Sequence, residues 1–169
     1  MSEPVVVASG PPAEPATWWR RIASIIYESL LILAIVFIAT VLFPGAATGR
    51  LGGVARYVLF AYLLGIVGLY LTWSWTRGQT LAMKAWRLAI VDARGQPIDW
   101  ARAVRRYLGA LALVAPMLAS GVWLREHRDS VVGWLLLAPG LLTLVWPLWD
   151  RERRALYDLI AGTRLVRLL

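Results

Sequence analysis

Glu28 stands where carboxylates are rare: the 21 residues that follow it, Ser29–Gly49, carry no charged side chain. Arg21 precedes it by seven positions and Ser24 by four. Seven helical steps return almost to the same face and rise about 10 Å. The spacing therefore predicts a polar stripe Arg21–Ser24–Glu28 that starts at the end of an apolar helix and climbs towards its middle. A charge at the centre of a bilayer costs about 2.5–3.5 kcal/mol on insertion scales, so Glu28 has to be paired, protonated or hydrated. Arg21 on its own helix, and Arg105 or Arg106 at the start of a later apolar stretch, are its candidate partners. Two chemistries fit the pattern. One is a buried ion pair that fixes helix packing. The other is a proton or cation site, since a carboxyl group withdrawn from water holds its proton more readily.

Other chemistries find little support. His127 is the single histidine, in the charged turn Arg125-Glu126-His127-Arg128-Asp129, where a solvated role is expected and a metal site is not. The absence of cysteine excludes disulfides, Cys-ligated zinc and iron–sulfur clusters. No HExxH, phosphate loop or dinucleotide fingerprint is present, and the polar residues suggest no Ser–His–Asp arrangement. The chain is thus read as a non-enzyme without cofactor or metal.

The elements that must position Glu28 follow from composition. Of 169 residues, 59% are hydrophobic and only 17% charged, yet 18 Lys and Arg against 10 Asp and Glu leave a net charge of +8. So apolar a chain is not disordered, and it retains too little polar surface for a soluble nucleic-acid binder. Four stretches lack charge: Ser29–Gly49, Tyr57–Thr76, Tyr107–Leu124 and Ser130–Trp149. Each matches the roughly 20 residues that a helix needs to cross a bilayer core, and lipid demands that backbone groups bond within the segment. Spans are expected near 22–43, 57–75, 105–124 and 131–149, an all-α membrane fold. The first span is too long for a cleavable signal and is read as retained. Residues 1–17, with four prolines, read as a disordered lead-in, and 18–169 as the membrane domain.

The positive charges sort by side. Fourteen of the 18 basic residues fall before span one, between spans two and three, or after span four; Arg50, Arg56, Arg125 and Arg128 fall on the other side. The positive-inside rule then places both termini in the cytoplasm of a multi-pass protein of the bacterial-type inner membrane. The basic residues are expected to meet anionic lipid headgroups, not nucleic acid. Tryptophans agree: Trp18, Trp19, Trp73, Trp75, Trp146 and Trp149 mark one interface, Trp123 and Trp134 the other. Small residues four apart, Ala61/Gly65 and Ala115/Ala119, are candidate close-approach points between helices, and Pro116, Pro139 and Pro147 candidate kinks.

Two basic segments lie outside the spans. In residues 76–106, Thr80–Trp86 suggests a short amphipathic helix, Leu88–Val91 a β run, Asp92-Ala93-Arg94-Gly95 a turn, and Asp99 a helix cap. In the tail, Asp150–Ala161 suggests a helix ended by Gly162 and Thr163–Leu168 a strand. The two strands are expected to pair into a small ribbon.

Three blocks in order resemble the RDD family, named for one arginine and two aspartates. They are Trp19-Arg20-Arg21 with an acid seven residues on, Arg77-Gly78-Gln79-Thr80-Leu81 through Leu88-Ala89-Ile90-Val91-Asp92, and Asp150-Arg151-Glu152-Arg153-Arg154-Ala155-Leu156-Tyr157-Asp158-Leu159-Ile160-Ala161-Gly162-Thr163. The resemblance implies that Arg21, or else Arg20, is the family arginine. It puts Glu28 at the first aspartate and Asp158 at the second, with Asp150 and Asp92 as alternates. Ala82, Ala89 and Tyr157 stand where glycine, arginine and histidine are usual. Some members look like cation/proton antiporters, so the resemblance implies cation/proton exchange through an embedded acid, in a chain small enough to expect a homodimer. The alternative is an accessory or assembly subunit of a larger membrane complex, with the polar residues purely structural.

Overall fold

A computed structural model of the chain describes residues 15–44, 52–128 and 130–168. The expected lead-in through residue 14, and Arg50 of the first turn between spans, lie outside these. Helix α1 (Trp18–Leu42) is followed by α2 (Gly53–Thr76), the short α3 (Leu81–Ala85), strand β1 (Leu88–Asp92), α4 (Trp100–Glu126), α5 (Val131–Val145), a 3-10 turn (Trp146–Leu148), α6 (Leu156–Ala161) and strand β2 (Thr163–Arg167). The four long helical segments are each long and apolar enough to cross a membrane. Their surfaces say the same: Leu33, Phe37, Leu118 and Leu135 are 64–69% exposed along the helices, which suits lipid and not water.

The helices begin earlier than their charge-free stretches. Helix α1 starts at Trp18 and carries Arg20 and Arg21 in its first turn. Helix α4 starts at Trp100, capped by Asp99, whose carboxylate accepts the Arg102 amide at 2.9 Å. Both helices run on through the polar interface, where charged side chains are tolerated. Pro116 and Pro139 lie inside continuous helices, whereas Pro147 sits in the 3-10 turn that ends the last span.

Close approach between helices does not occur at the expected small-residue pairs. Ala61, Gly65, Ala115 and Ala119 are all exposed. The tight places are elsewhere. A Cβ on Gly68 would lie 2.7 Å from Cε1 of Tyr107, which joins α2 to α4, and a Cβ on Gly140 would lie 2.8 Å from Cβ of Met117, which joins α5 to α4. Spacing finds small residues, but the packed face is decided by which side chains oppose them.

The two strands pair antiparallel, from Leu88 opposite Arg167 to Asp92 opposite Thr163. A lone two-stranded ribbon is marginal in water. This one is held because Leu88, Ile90 and Leu165 turn one face into a core with Leu71, Trp75, Met83 and Ile98. Residues expected to be disordered take part: Pro15 bridges to Val166, the Ala16 amide donates to the Leu165 carbonyl at 3.1 Å, and Ala16 is fully buried. The start of α1, the α2–α4 connection and the chain's tail thus meet at one end of the bundle.

Candidate functional site

Two polar clusters lie near that end. The first centres on Asp158, in the short helix α6. Its segment opens at Asp150, whose Oδ2 accepts the Arg154 amide at 2.8 Å and the Arg154 Nε at 3.1 Å. It closes at Gly162, where φ of 64° suits glycine and turns the chain into β2. Within α6, Asp158 is fully buried, and its Oδ2 accepts the Ala155 amide at 2.9 Å. Arg21 Nη1 donates to the same oxygen at 2.7 Å, and Arg106 pairs with Oδ1. Both guanidiniums are themselves buried.

One carboxylate between two guanidiniums leaves an excess positive charge in a dry place. The surroundings answer it. The Arg153 carbonyl accepts from Arg21 Nη2 at 2.8 Å, and the Thr163 hydroxyl accepts from Arg106 Nη1 at 2.7 Å. The Arg106 guanidinium also lies 4.9 Å from the ring centre of Trp75 and 5.0 Å from that of Tyr157, both within cation–π reach. Burial by itself pushes the Asp158 carboxyl up, but Arg106 and Arg21 outweigh it and hold it below the usual carboxylate range. The cluster is therefore a charged lock among α1, α4, α6 and β2.

The second cluster centres on Glu28. Its expected partners are elsewhere: Arg21 and Arg106 serve Asp158, and Arg105 is exposed at the surface of α4. Among the described residues no basic group lies within 4.0 Å of Glu28. Two hydroxyls hold it instead. Tyr70 of α2 donates to Oε1 at 2.8 Å, and Thr80 donates to Oε2. Thr80 is also the cap of α3, where its Oγ1 accepts the Met83 amide at 3.2 Å. The turn that delivers it uses Gly78, with φ of 87°, and Gln79, whose side-chain amide donates to the Leu88 carbonyl at 2.7 Å. Glu28 is half-buried, and Ser24 is buried on the same face of α1 between it and Arg21.

The stripe Arg21–Ser24–Glu28 is thus real as a face of α1, but its two ends belong to different clusters. Asp150 belongs to neither and pairs with Arg154. Asp92 also lies apart: its carboxylate accepts the Arg94 and Gln96 amides and pairs with Arg102 at 2.7 Å, closing the turn after β1. Sequence reasoning missed Tyr70, Thr80 and Thr163. Their hydroxyls carry no charge to mark them, and only Thr80 and Thr163 fall in blocks that a resemblance singles out.

No curated protein and no solved structure matches the chain significantly. A model of the RDD family matches residues 15–162, which includes Arg21, Glu28 and Asp158. The matched stretch holds the α1 arginine, the Gly78–Thr80 turn and Asp158, which take part in the two clusters. The chain is an integral membrane protein that belongs to the RDD family.

Proposed function

We propose that the chain exchanges a proton for a small monovalent cation across the membrane, with Glu28 as the group that takes up either. The observation that carries this reading is the Glu28 carboxylate itself. It sits on a membrane-spanning helix, is held by two neutral hydroxyls, and has no basic neighbour among the described residues. A purely structural buried carboxylate is expected to have a cation beside it, as Asp158 does. Glu28 leaves that place for a proton or an inorganic ion. Protonation changes the hydrogen bonding as well as the charge: an acceptor oxygen becomes a donor, and a hydroxyl that gave a bond must receive one. Thr80 is such a hydroxyl. Because it caps α3, its reorientation links the state of Glu28 to the segment between α2 and β1. Asp158 with Arg21 and Arg106 then serves as scaffold. In this reading both termini lie in the cytoplasm, by the sorting of basic residues, and a homodimer supplies the path that four helices are too few to enclose.

The test is reconstitution into vesicles loaded with a pH-sensitive dye. A pulse of sodium or potassium should drive proton flux with wild-type protein, and Glu28→Gln should remove it while the variant elutes from size exclusion as wild type does. Undiminished flux in the variant excludes Glu28, and no flux with any monovalent cation excludes exchange.

A second reading, an assembly subunit, is favoured by one observation: Ala61, Gly65, Ala115 and Ala119 are exposed on the spans, where a neighbouring helix could approach closely. It expects a larger complex to co-purify in mild detergent, and Glu28→Gln to reduce assembly instead of flux.

A further inference from the structure

We propose that the groove between the start of α1 and the α3–β1 corner binds the phosphodiester headgroup of an anionic phospholipid. The groove has a volume of about 380 Å³ and is lined by Trp19, Arg20, Ala85, Trp86, Arg87 and Arg167. Three guanidiniums from three separate segments converge on it. None of the three has a carboxylate within 4.0 Å among the described residues, unlike Arg21, Arg102, Arg106 and Arg154. Arg20 spends one nitrogen on the Trp86 carbonyl at 3.3 Å. Arg167 has a buried Nε without a hydrogen-bond partner. Three like charges gathered around one cleft repel each other unless an anion sits among them, and the guanidinium fork suits a phosphate in particular.

The backbone adds a second, independent sign. Arg87 is held at φ of 52°, in the left-handed region. Its carbonyl is fixed there by the Leu168 amide at 2.9 Å. A side chain other than glycine is disfavoured in that conformation, yet the position is an arginine that lines the groove. Strain of this kind gathers at ligand sites.

The surroundings choose a lipid over free phosphate. Trp19 and Trp86 mark headgroup depth. From Trp19 an exposed apolar stripe continues along the same face of α1 through Ile26, Leu30 and Leu33, which are 58–64% exposed. Steps of seven, eleven and fourteen residues keep these side chains in line. A phosphate seated among Arg20, Arg87 and Arg167 therefore has a track for its acyl chains beside it. This site shares no residue with the Glu28 cluster, so it stands or falls separately from ion exchange.

The experiment is native mass spectrometry and thermal unfolding of the full chain in detergent, after delipidation. The added probes are phosphatidylglycerol, phosphatidylcholine or inorganic phosphate. Phosphatidylglycerol should bind and raise Tm, and the other two should not. Arg20→Gln combined with Arg167→Gln should weaken phosphatidylglycerol binding by roughly tenfold or more. Arg105→Gln, an exposed arginine away from the groove, should leave it unchanged. Arg87→Gly should weaken lipid binding while raising the Tm of the lipid-free protein, a combination that a merely structural arginine would not give. Equal binding of phosphatidylcholine, an equal response to inorganic phosphate, or equal loss in Arg105→Gln would each overturn the proposal. So would Arg87→Gly with undiminished lipid binding.

Discussion

Asp158→Asn isolates the charge of the lock with almost no change of shape. The side chain keeps its size, and its oxygen can still accept the Ala155 amide. What disappears is the one negative charge that serves Arg21 and Arg106 together, and both guanidiniums are buried. Removing one partner of a buried pair typically costs about 3–5 kcal/mol, because the other is left uncompensated. Here two cations are left, so the upper end applies. For a chain of 150–250 residues each kcal/mol moves Tm by about 2–4 °C, and 5 kcal/mol corresponds to a fall of about 10–20 °C. The measurement is thermal unfolding in mild detergent, followed by tryptophan fluorescence. Arg21→Gln should cost less, since it leaves one carboxylate facing one guanidinium. In Arg21→Gln combined with Asp158→Asn only a single cation is stranded, so the double variant should be more stable than the two losses added together predict, by about 0.5–3 kcal/mol. A Tm for Asp158→Asn within about 2 °C of wild type, or strictly additive losses, would refute the lock.

Three further outcomes follow from the geometry. Gly68→Ala should lower Tm, by about 1–3 kcal/mol of overpacking, because the new Cβ meets the Tyr107 ring, which is pinned by its 2.8 Å bond to the Leu64 carbonyl; Gly65→Ala, which enters open space, should not. Stability should hold from neutral pH down to the ordinary carboxylate range near 4 and be lost only below it. The reason is the direction of the shifts: Asp158, Asp92 and Asp150 are all held below their usual values, so each stabilises the fold above its unfolded pKa and ceases to do so as pH falls through its folded one. A Tm series against pH checks this, and a main loss above pH 5 would contradict it.

The spans were legible because lipid tolerates few charges, and charge-free runs of this length have few other uses. Their ends were less so. Trp18 through Arg21 are helical although they carry arginines, since interfacial helix turns can hold charge that the apolar core cannot; the start of α4 at Trp100 was readable from its Asp99 cap. The ribbon was readable from Leu88–Val91 and Thr163–Leu168, with its partner strand supplied by simple complementarity. The involvement of Pro15 and Ala16 was not, because a proline-rich run gives no sign of a surface waiting for it. Glu28 was found by its type, but its partners were not. Sequence spacing shows which residues share a face of one helix, and says nothing of which hydroxyl on another element will arrive there. Asp158 was placed only by resemblance to a family motif; nothing in its local sequence announces that two arginines 137 and 52 positions away will converge on it.

The lock also has a history in time. Arg21 is made before Asp158, and the hydrogen bond between them spans 137 positions. At synthesis rates of about 5–20 residues per second, Arg21 waits roughly 7–27 s for its counter-charge. Throughout that interval the Arg21 guanidinium lacks the carboxylate that answers it in the folded chain. The strand that follows Asp158 then pairs with β1 and fastens the residues just ahead of α1. Arrival of Asp158 is therefore the event that gives the Arg21 guanidinium of the first helix its carboxylate partner.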